Sequence, residues 1–146
     1  MSTTSDAPLA GRRALVTGGS RGIGAATVRR LAADGAAVAF TYQSSPDAAQ
    51  DLVDELEASG AKVAAIKADS ADALAVAAAV DEAVERLGGL DILVNNAGVA
   101  QGAPIESFPL EDFDRMLDIN VKAVFAAIQR AVPHLGAGGR IITIGS

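Results

Sequence analysis

Eight consecutive residues, Thr17-Gly18-Gly19-Ser20-Arg21-Gly22-Ile23-Gly24, carry the strongest chemical signal in the sequence. They follow the apolar run Ala14-Leu15-Val16 and lead into Ala25–Ala33, whose composition suits a helix. Glycine permits backbone turns that other residues resist, and it lets a ligand come close to the main chain. A helix that begins there offers unpaired N–H groups and a partial positive charge, which suits a pyrophosphate. In this strand–turn–helix setting the glycine pattern predicts a dinucleotide site.

Three more candidates fall at expected strand ends. Asp69-Ser70 supplies a carboxylate that could accept a hydrogen bond from an adenine amino group, or could cap the helix that follows. In Asn95-Asn96-Ala97-Gly98, two amides leave a buried strand and need partners. A structural clamp is expected of those side chains, while Ala97 and Gly98 are small enough for a cofactor to lie against. Asn120 falls among Phe113, Leu117, Val121, Val124, Phe125 and Ile128, the expected apolar stripe of a long helix. A buried amide left without a partner costs about 1–3 kcal/mol. Asn120 is therefore either bonded to backbone or a site residue facing the ligand.

The elements that must hold these residues alternate strictly. Strands are expected at Ala14–Val16, Ala37–Tyr42, Val63–Ile66, Ile92–Val94 and Ile141–Ile144. The first helix is closed by Gly35. The second is capped by Ser45, starts at Pro46 and ends at Gly60. In the third, capped by Ser70 or Asp72, Val76, Val80, Val84 and Leu87 recur at helical spacing until Gly88-Gly89. A long helix runs from about Leu110 to Ala131. Short apolar strands alternating with helices imply an α/β fold with a doubly wound parallel sheet, Rossmann-like, in the order 3-2-1-4-5. Ligands in such sheets bind at the carboxyl ends of the strands beside the switch point.

Composition sets further bounds. With 146 residues, 50% of them apolar, the chain suits one domain over residues 11–146, and residues 1–10 are expected to be a flexible tail. Cysteine is absent, which excludes disulfides and thiolate metal sites and fits a reducing compartment. No apolar run approaches the about 20 residues of a membrane span, and nothing at the N-terminus resembles a signal peptide. A soluble cytoplasmic protein is expected. The net charge of −6 argues against a nucleic-acid partner. Around the glycine turn, however, Arg12, Arg13, Arg21, Arg29 and Arg30 outweigh Asp6, Asp34 and Asp47, a local balance that favours a phosphate ligand.

Thr17–Gly24 resembles the TGxxxGxG cofactor motif of the short-chain dehydrogenases/reductases, and Asn95–Gly98 resembles their NNAG motif. Asp69 and Asn120 fall where that family has its adenine-contacting Asp and its active-site Asn. Gly139–Ser146 is similar to the family's fifth strand and catalytic Ser. The likeness runs from about Gly11 to Ser146 and is nearest to the 3-oxoacyl-(acyl-carrier-protein) reductases. It implies reversible hydride transfer between a nicotinamide and a carbonyl or secondary alcohol. The implied catalytic residues are Asn120, which keeps a water in the proton relay, and Ser146, which polarises the carbonyl. The implied cofactor contacts are Thr17, Gly18, Ser20, Arg21, Gly22, Ile23, Gly24, Tyr42, Gln43, Ser44, Asp69, Ser70, Asn96, Ala97 and Gly98. Family members are usually homo-oligomers that pair through the long helix.

The family's Tyr-x-x-x-Lys, which supplies the proton and lowers the Tyr pKa, lies downstream of the Ser and is not in this sequence. Tyr42, the only tyrosine, ends the second strand and cannot stand in; His134 follows Pro133 near a helix end and faces solvent. The expectation is an oxidoreductase fragment, incomplete on the C-terminal side of its sheet and inactive alone. A non-catalytic nucleotide-binding or partner-binding module is the alternative. The apolar edge Ile141–Ile144 favours the first, because natural edge strands are usually short, charged or covered. Cofactor choice is expected to be NADP(H) over NAD(H). An acid at the end of the second strand would select NAD by repelling a 2′-phosphate. Tyr42-Gln43-Ser44-Ser45 holds none, and Arg21 sits where NADP(H)-using members often carry a basic residue.

Overall fold

The computed structural model describes residues 7–145. Strands β1 (Arg13–Val16), β2 (Ala37–Tyr42), β3 (Val63–Lys67), β4 (Ile92–Asn95) and β5 (Arg140–Thr143) form one sheet in the order β3-β2-β1-β4-β5. All four pairings are parallel, with Leu15 opposite Ala39 on one side and Leu93 on the other. The expected topology is the observed one.

Successive strand residues point to opposite faces, and from β3 across to β4 both faces are covered. Ala14, Val16, Val38 and Phe40 pack against α1 (Gly22–Ala33) and α2 (Pro46–Ala58), with Val28, Leu52 and Leu56 as the helix contribution. Leu15, Ala39, Ile66 and Leu93 pack on the other face against α3 (Ala73–Leu87) and α5 (Ala123–Ala131), through Val76, Val80, Ala127 and Ala131. Residues 7–10 belong to the fold rather than to the expected tail. Leu9 packs on the first core cluster, and its N–H donates to the Asp34 carbonyl at 2.8 Å. Residues 1–6 lie outside the described residues.

The caps follow the sequence closely. Asp72 caps α3, its Oδ1 accepting the N–H groups of Leu74 and Ala75 at 3.0 and 3.1 Å, while Gly88 closes that helix with φ +82°. Ser45 stands at the N-cap of α2 with Pro46 at the first helical position, but its hydroxyl makes no capping hydrogen bond.

The long helix departs from expectation. It divides into α4 (Leu110–Leu117), a π-helical turn over Asp118–Lys122, and α5. The widened turn advances the register, so the face that meets the sheet is Ile119, Ala123, Ala127 and Ala131. Of the expected apolar stripe, Phe113, Leu117, Val121 and Phe125 are 43–64% exposed. Small alanines lie against the sheet because they let the helix approach closely; the larger side chains point outward. Among the described residues, no helix is long and apolar enough to cross a membrane.

Candidate functional site

At the carboxyl end of β1 the chain turns through Gly18, at φ +66°, and Gly22, at φ +59°. Two other glycines are required by close approach. A Cβ on Gly19 would stand 2.5 Å from that of Phe40, and one on Gly24 would run into the Gly18 carbonyl oxygen and the Asn96 amide. Helix α1 therefore starts hard against the turn. Arg21 occupies its N-cap, and no side chain caps the first turn, so its donors remain available to a ligand.

Polar partners from two other strands hold the turn. The Gly18 N–H donates to Thr41 Oγ1 at 2.9 Å, and the Gly19 N–H donates to the Thr41 carbonyl at 2.9 Å. Asn96 Nδ2 donates to the carbonyls of Thr17 and Gly18 at 3.1 and 2.9 Å. Thr17 Oγ1 accepts the N–H groups of Asn96 and Ala97, both at 3.0 Å. The expected clamp by the strand-four amides is thus present, and Asn96 locks the glycine turn to the end of β4. Asn95 is buried, with its Nδ2 3.4 Å from Thr143 Oγ1 on β5.

Asn120 lies in the π-helical turn and is exposed, not buried in an apolar stripe. Its Oδ1 accepts the Val99 N–H at 3.0 Å, and its Nδ2 donates to the Val99 carbonyl at 2.8 Å. The bond to backbone expected on one reading is there, and it fixes the loop that follows β4. Asp69 Oδ1 accepts the Ala71 N–H at 2.8 Å, an Asx turn that leads the chain from β3 into α3.

These segments border a cleft of about 380 Å³ over the switch point. Of the residues expected to bind cofactor, Gly18, Ser20, Arg21, Tyr42, Gln43, Ser44, Ser70, Asn96, Ala97 and Gly98 line it. Thr17 is buried behind it, Gly22 and Gly24 shape the turn, and Ile23 is 65% exposed on the outside of α1. Asp69 stands beside the lining residue Ser70. Ser146 lies outside the described residues. Sequence reasoning missed Thr41, Ser45, Val99, Arg115 and Ile119, which also line the cleft. Thr41 had a signal, a polar residue inside an otherwise apolar strand. Arg115 and Ile119 stand at i and i+4 of the long helix, a spacing that puts both on one face.

Among the described residues, no aspartate or glutamate lines the cleft, whereas Arg21 and Arg115 do. At the amino ends of β1 and β4, the Arg13 guanidinium bonds Asp91 at 3.0 Å and the Gly88 carbonyl at 2.7 Å. Those bonds to Arg13 hold the Asp91 carboxyl below the usual carboxylate range. On the helices, Arg130 does the same to Asp81, tying α5 to α3. Uncapped helix donors, a turn that excludes Cβ atoms and cationic walls fit a pyrophosphate-bearing nucleotide.

A model of the short chain dehydrogenase family matches residues 12–146. An uncharacterized oxidoreductase of Methylorubrum extorquens is 46% identical over 138 residues, covering 94% of this chain and 56% of the relative. Elsinochrome reductase 1 of Elsinoe fawcettii is 44% identical over 138 residues, covering 94% and 52%. The crystal structure of a short chain dehydrogenase from Burkholderia cenocepacia in complex with NADP superposes with a TM-score of 0.93 at 56% identity, over 95% of this chain and 57% of that one. The chain belongs to the short chain dehydrogenase family. It spans just over half the length of the curated relatives it matches.

Proposed function

We propose that this chain supplies the cofactor-binding part of an oxidoreductase that transfers hydride between NADP(H) and a carbonyl or secondary alcohol. The observation that carries the reading is a cleft lined by no acid among the described residues, with Arg21 at the α1 N-cap and Tyr42–Ser45 at the end of β2. A 2′-phosphate there meets a guanidinium and hydroxyls instead of a carboxylate. The NADP complex of the Burkholderia cenocepacia relative supports the same cofactor.

In this reading the first turn of α1 and the Gly18–Gly24 segment hold the pyrophosphate, and Asn96 keeps that turn in shape. Ala97 and Gly98 are small enough for the cofactor to lie against them, and Asp69 with Ser70 borders the adenosine half. The nicotinamide supplies or accepts the hydride when bound. Asn120 holds the 97–99 loop through its two bonds to Val99 and stands near the proton path, and Ser146 polarises the substrate carbonyl. Ser44, Ser20 and Gln43 supply further hydrogen bonds to ribose and phosphate. A small-molecule substrate, a cytoplasmic location and self-association through the outward face of α4 and α5 belong to the same reading. Self-association is supported by Leu117, Val121 and Phe125, which lie exposed in a row.

Titration with NADPH and NADH, on the parent and on Arg21→Ala, tests the cofactor reading. The parent is expected to bind NADPH more tightly, and the variant is expected to lose that preference. Tighter NADH binding by the parent would overturn it. Turnover is tested on a chain completed with the C-terminal segment of a solved relative, because acid–base groups contribute about 100- to 10,000-fold. Carbonyl reduction is expected in the completed protein and not in a polypeptide of these 146 residues alone.

A further inference from the structure

Among the described residues, Arg115 is the one cleft-lining cation that neither the glycine turn nor its clamps account for. It forms no ion pair among the described residues, although Asp112, Asp114 and Asp118 lie close in sequence. Asp112 is occupied elsewhere, accepting a hydrogen bond from Gln101 Nε2 at 2.8 Å. An arginine held near acids yet paired with none has its guanidinium available to a ligand.

Its position is fixed from both sides. The loop after β4 is tied to the long helix at two points, Gln101 to Asp112 and Val99 to Asn120. Arg115 lies on the stretch of helix between those anchors, so the gap it shares with Val99 is set by four hydrogen-bonding groups. One turn on, Ile119 also lines the cleft and is 3% exposed, and it touches the space beside Ser70 and Ala97. The Arg115–Ile119 face therefore walls the side of the cleft between the ends of β3 and β4. Arg21 stands on the other side, at the start of α1 and next to the end of β2.

A dinucleotide whose pyrophosphate sits on α1 carries its 2′ position past the end of β2, and its base then reaches the slot by Ser70 and Val99. That slot has an apolar wall in Ile119, small residues in Ala97 and Gly98, and one planar cation. A guanidinium stacks on aromatic faces more readily than an ammonium, because it is planar and weakly hydrated. We propose that the Arg115 guanidinium lies against the adenine ring of the bound dinucleotide, setting affinity for the adenosine half irrespective of a 2′-phosphate. The proposal rests on the cleft's being a dinucleotide site. It divides the work of the two arginines: Arg21 discriminates between cofactors, and Arg115 holds both.

Fluorescence titration with NADPH and NADH separates the two roles, using this chain and the chain joined to a solved relative's C-terminal segment. Arg115→Ala is expected to weaken both nucleotides by the same factor, about 3- to 10-fold, and to weaken 5′-AMP as a competitor equally. Arg115→Lys, which keeps the charge but not the plane, is expected to recover only part. Unchanged binding in Arg115→Ala overturns the proposal, as does a loss confined to NADPH, which would put the guanidinium on the 2′-phosphate. An equal loss accompanied by a lower melting temperature without nucleotide would assign Arg115 to bracing α4, and would also overturn it. If the parent binds neither nucleotide, the cleft reading itself fails, a result distinct from each of these.

Discussion

From β3 across to β1 the sheet is covered on both faces, and Leu15, Val38, Ala39 and Phe40 have no exposed surface. Beyond β4 the picture changes: Ile141, Ile142 and Ile144 at β5 are 39–46% exposed, and Phe113, Leu117, Val121 and Phe125 stand outward on the long helix. The two regions differ in what meets their apolar side chains. The glycine turn, its Asn96 clamp and the helices over β1–β3 all find their partners within these residues. The faces of β5 and α4 do not. Substitutions around the nucleotide cleft should therefore register as intrinsic losses, whereas those on the far region should depend on what else is present.

The largest effect is expected at Gly24. Alanine there puts a methyl group against the Gly18 carbonyl and the Asn96 amide, both of them backbone or clamped. Overpacking of that kind costs about 1–3 kcal/mol, and the turn must open to relieve it. Calorimetric melting of Gly24→Ala should fall by several degrees, and nucleotide titration should lose at least tenfold in affinity. An unchanged affinity would break the picture of a turn closed within itself.

A smaller effect is expected at the opposite end of the strands, where Arg13 joins β1 to Asp91 before β4. Replacing Asp91, whose side chain is 17% exposed, by Asn removes the charge-assisted partner of Arg13, a loss of about 1 kcal/mol at neutral pH. The sign follows from the lowered folded-state pKa of Asp91. Its contribution is present above the unfolded value of about 3.9 and is lost as pH falls through the folded value. Denaturant midpoints of parent and Asp91→Asn should thus differ at pH 7 and converge in acid. A gap that widens on acidification would contradict the assignment.

The smallest effect on stability is expected from Leu117→Ser combined with Phe125→Ser. These side chains are 43% and 64% exposed, so the monomer should melt within about 0.5 kcal/mol of the parent. Light scattering should nevertheless report less self-association. A large drop in melting temperature would mean that the two regions are not divided as described.

The boundaries of most elements, the sheet order and the glycine turn were legible because they rest on local rules. Apolar strands alternate with helices, Asp72 caps α3, and glycines mark the closures at Gly35, Gly60 and Gly88. The clamp role of Asn96 was readable too, because two amides at the end of a buried strand must be satisfied. The π-helical turn was not. Hydrophobic spacing assumes a constant 3.6-residue period, and one widened turn at Asp118–Lys122 shifts every residue after it relative to the sheet.

By itself, the sequence determined the parallel doubly wound sheet and the phosphate-facing turn, since a glycine pattern between strand and helix constrains the backbone directly. Tertiary structure alone decided which face of the long helix is buried, and so turned Ile119 and Arg115 toward the cleft and Phe125 away from it. It also decided that Asn120 reaches Val99, 21 residues away, and that among the described residues the cleft is walled by two arginines and no acid. Such pairings join segments distant along the chain, and their energies depend on the packing of whole helices against the sheet. No local pattern encodes that geometry.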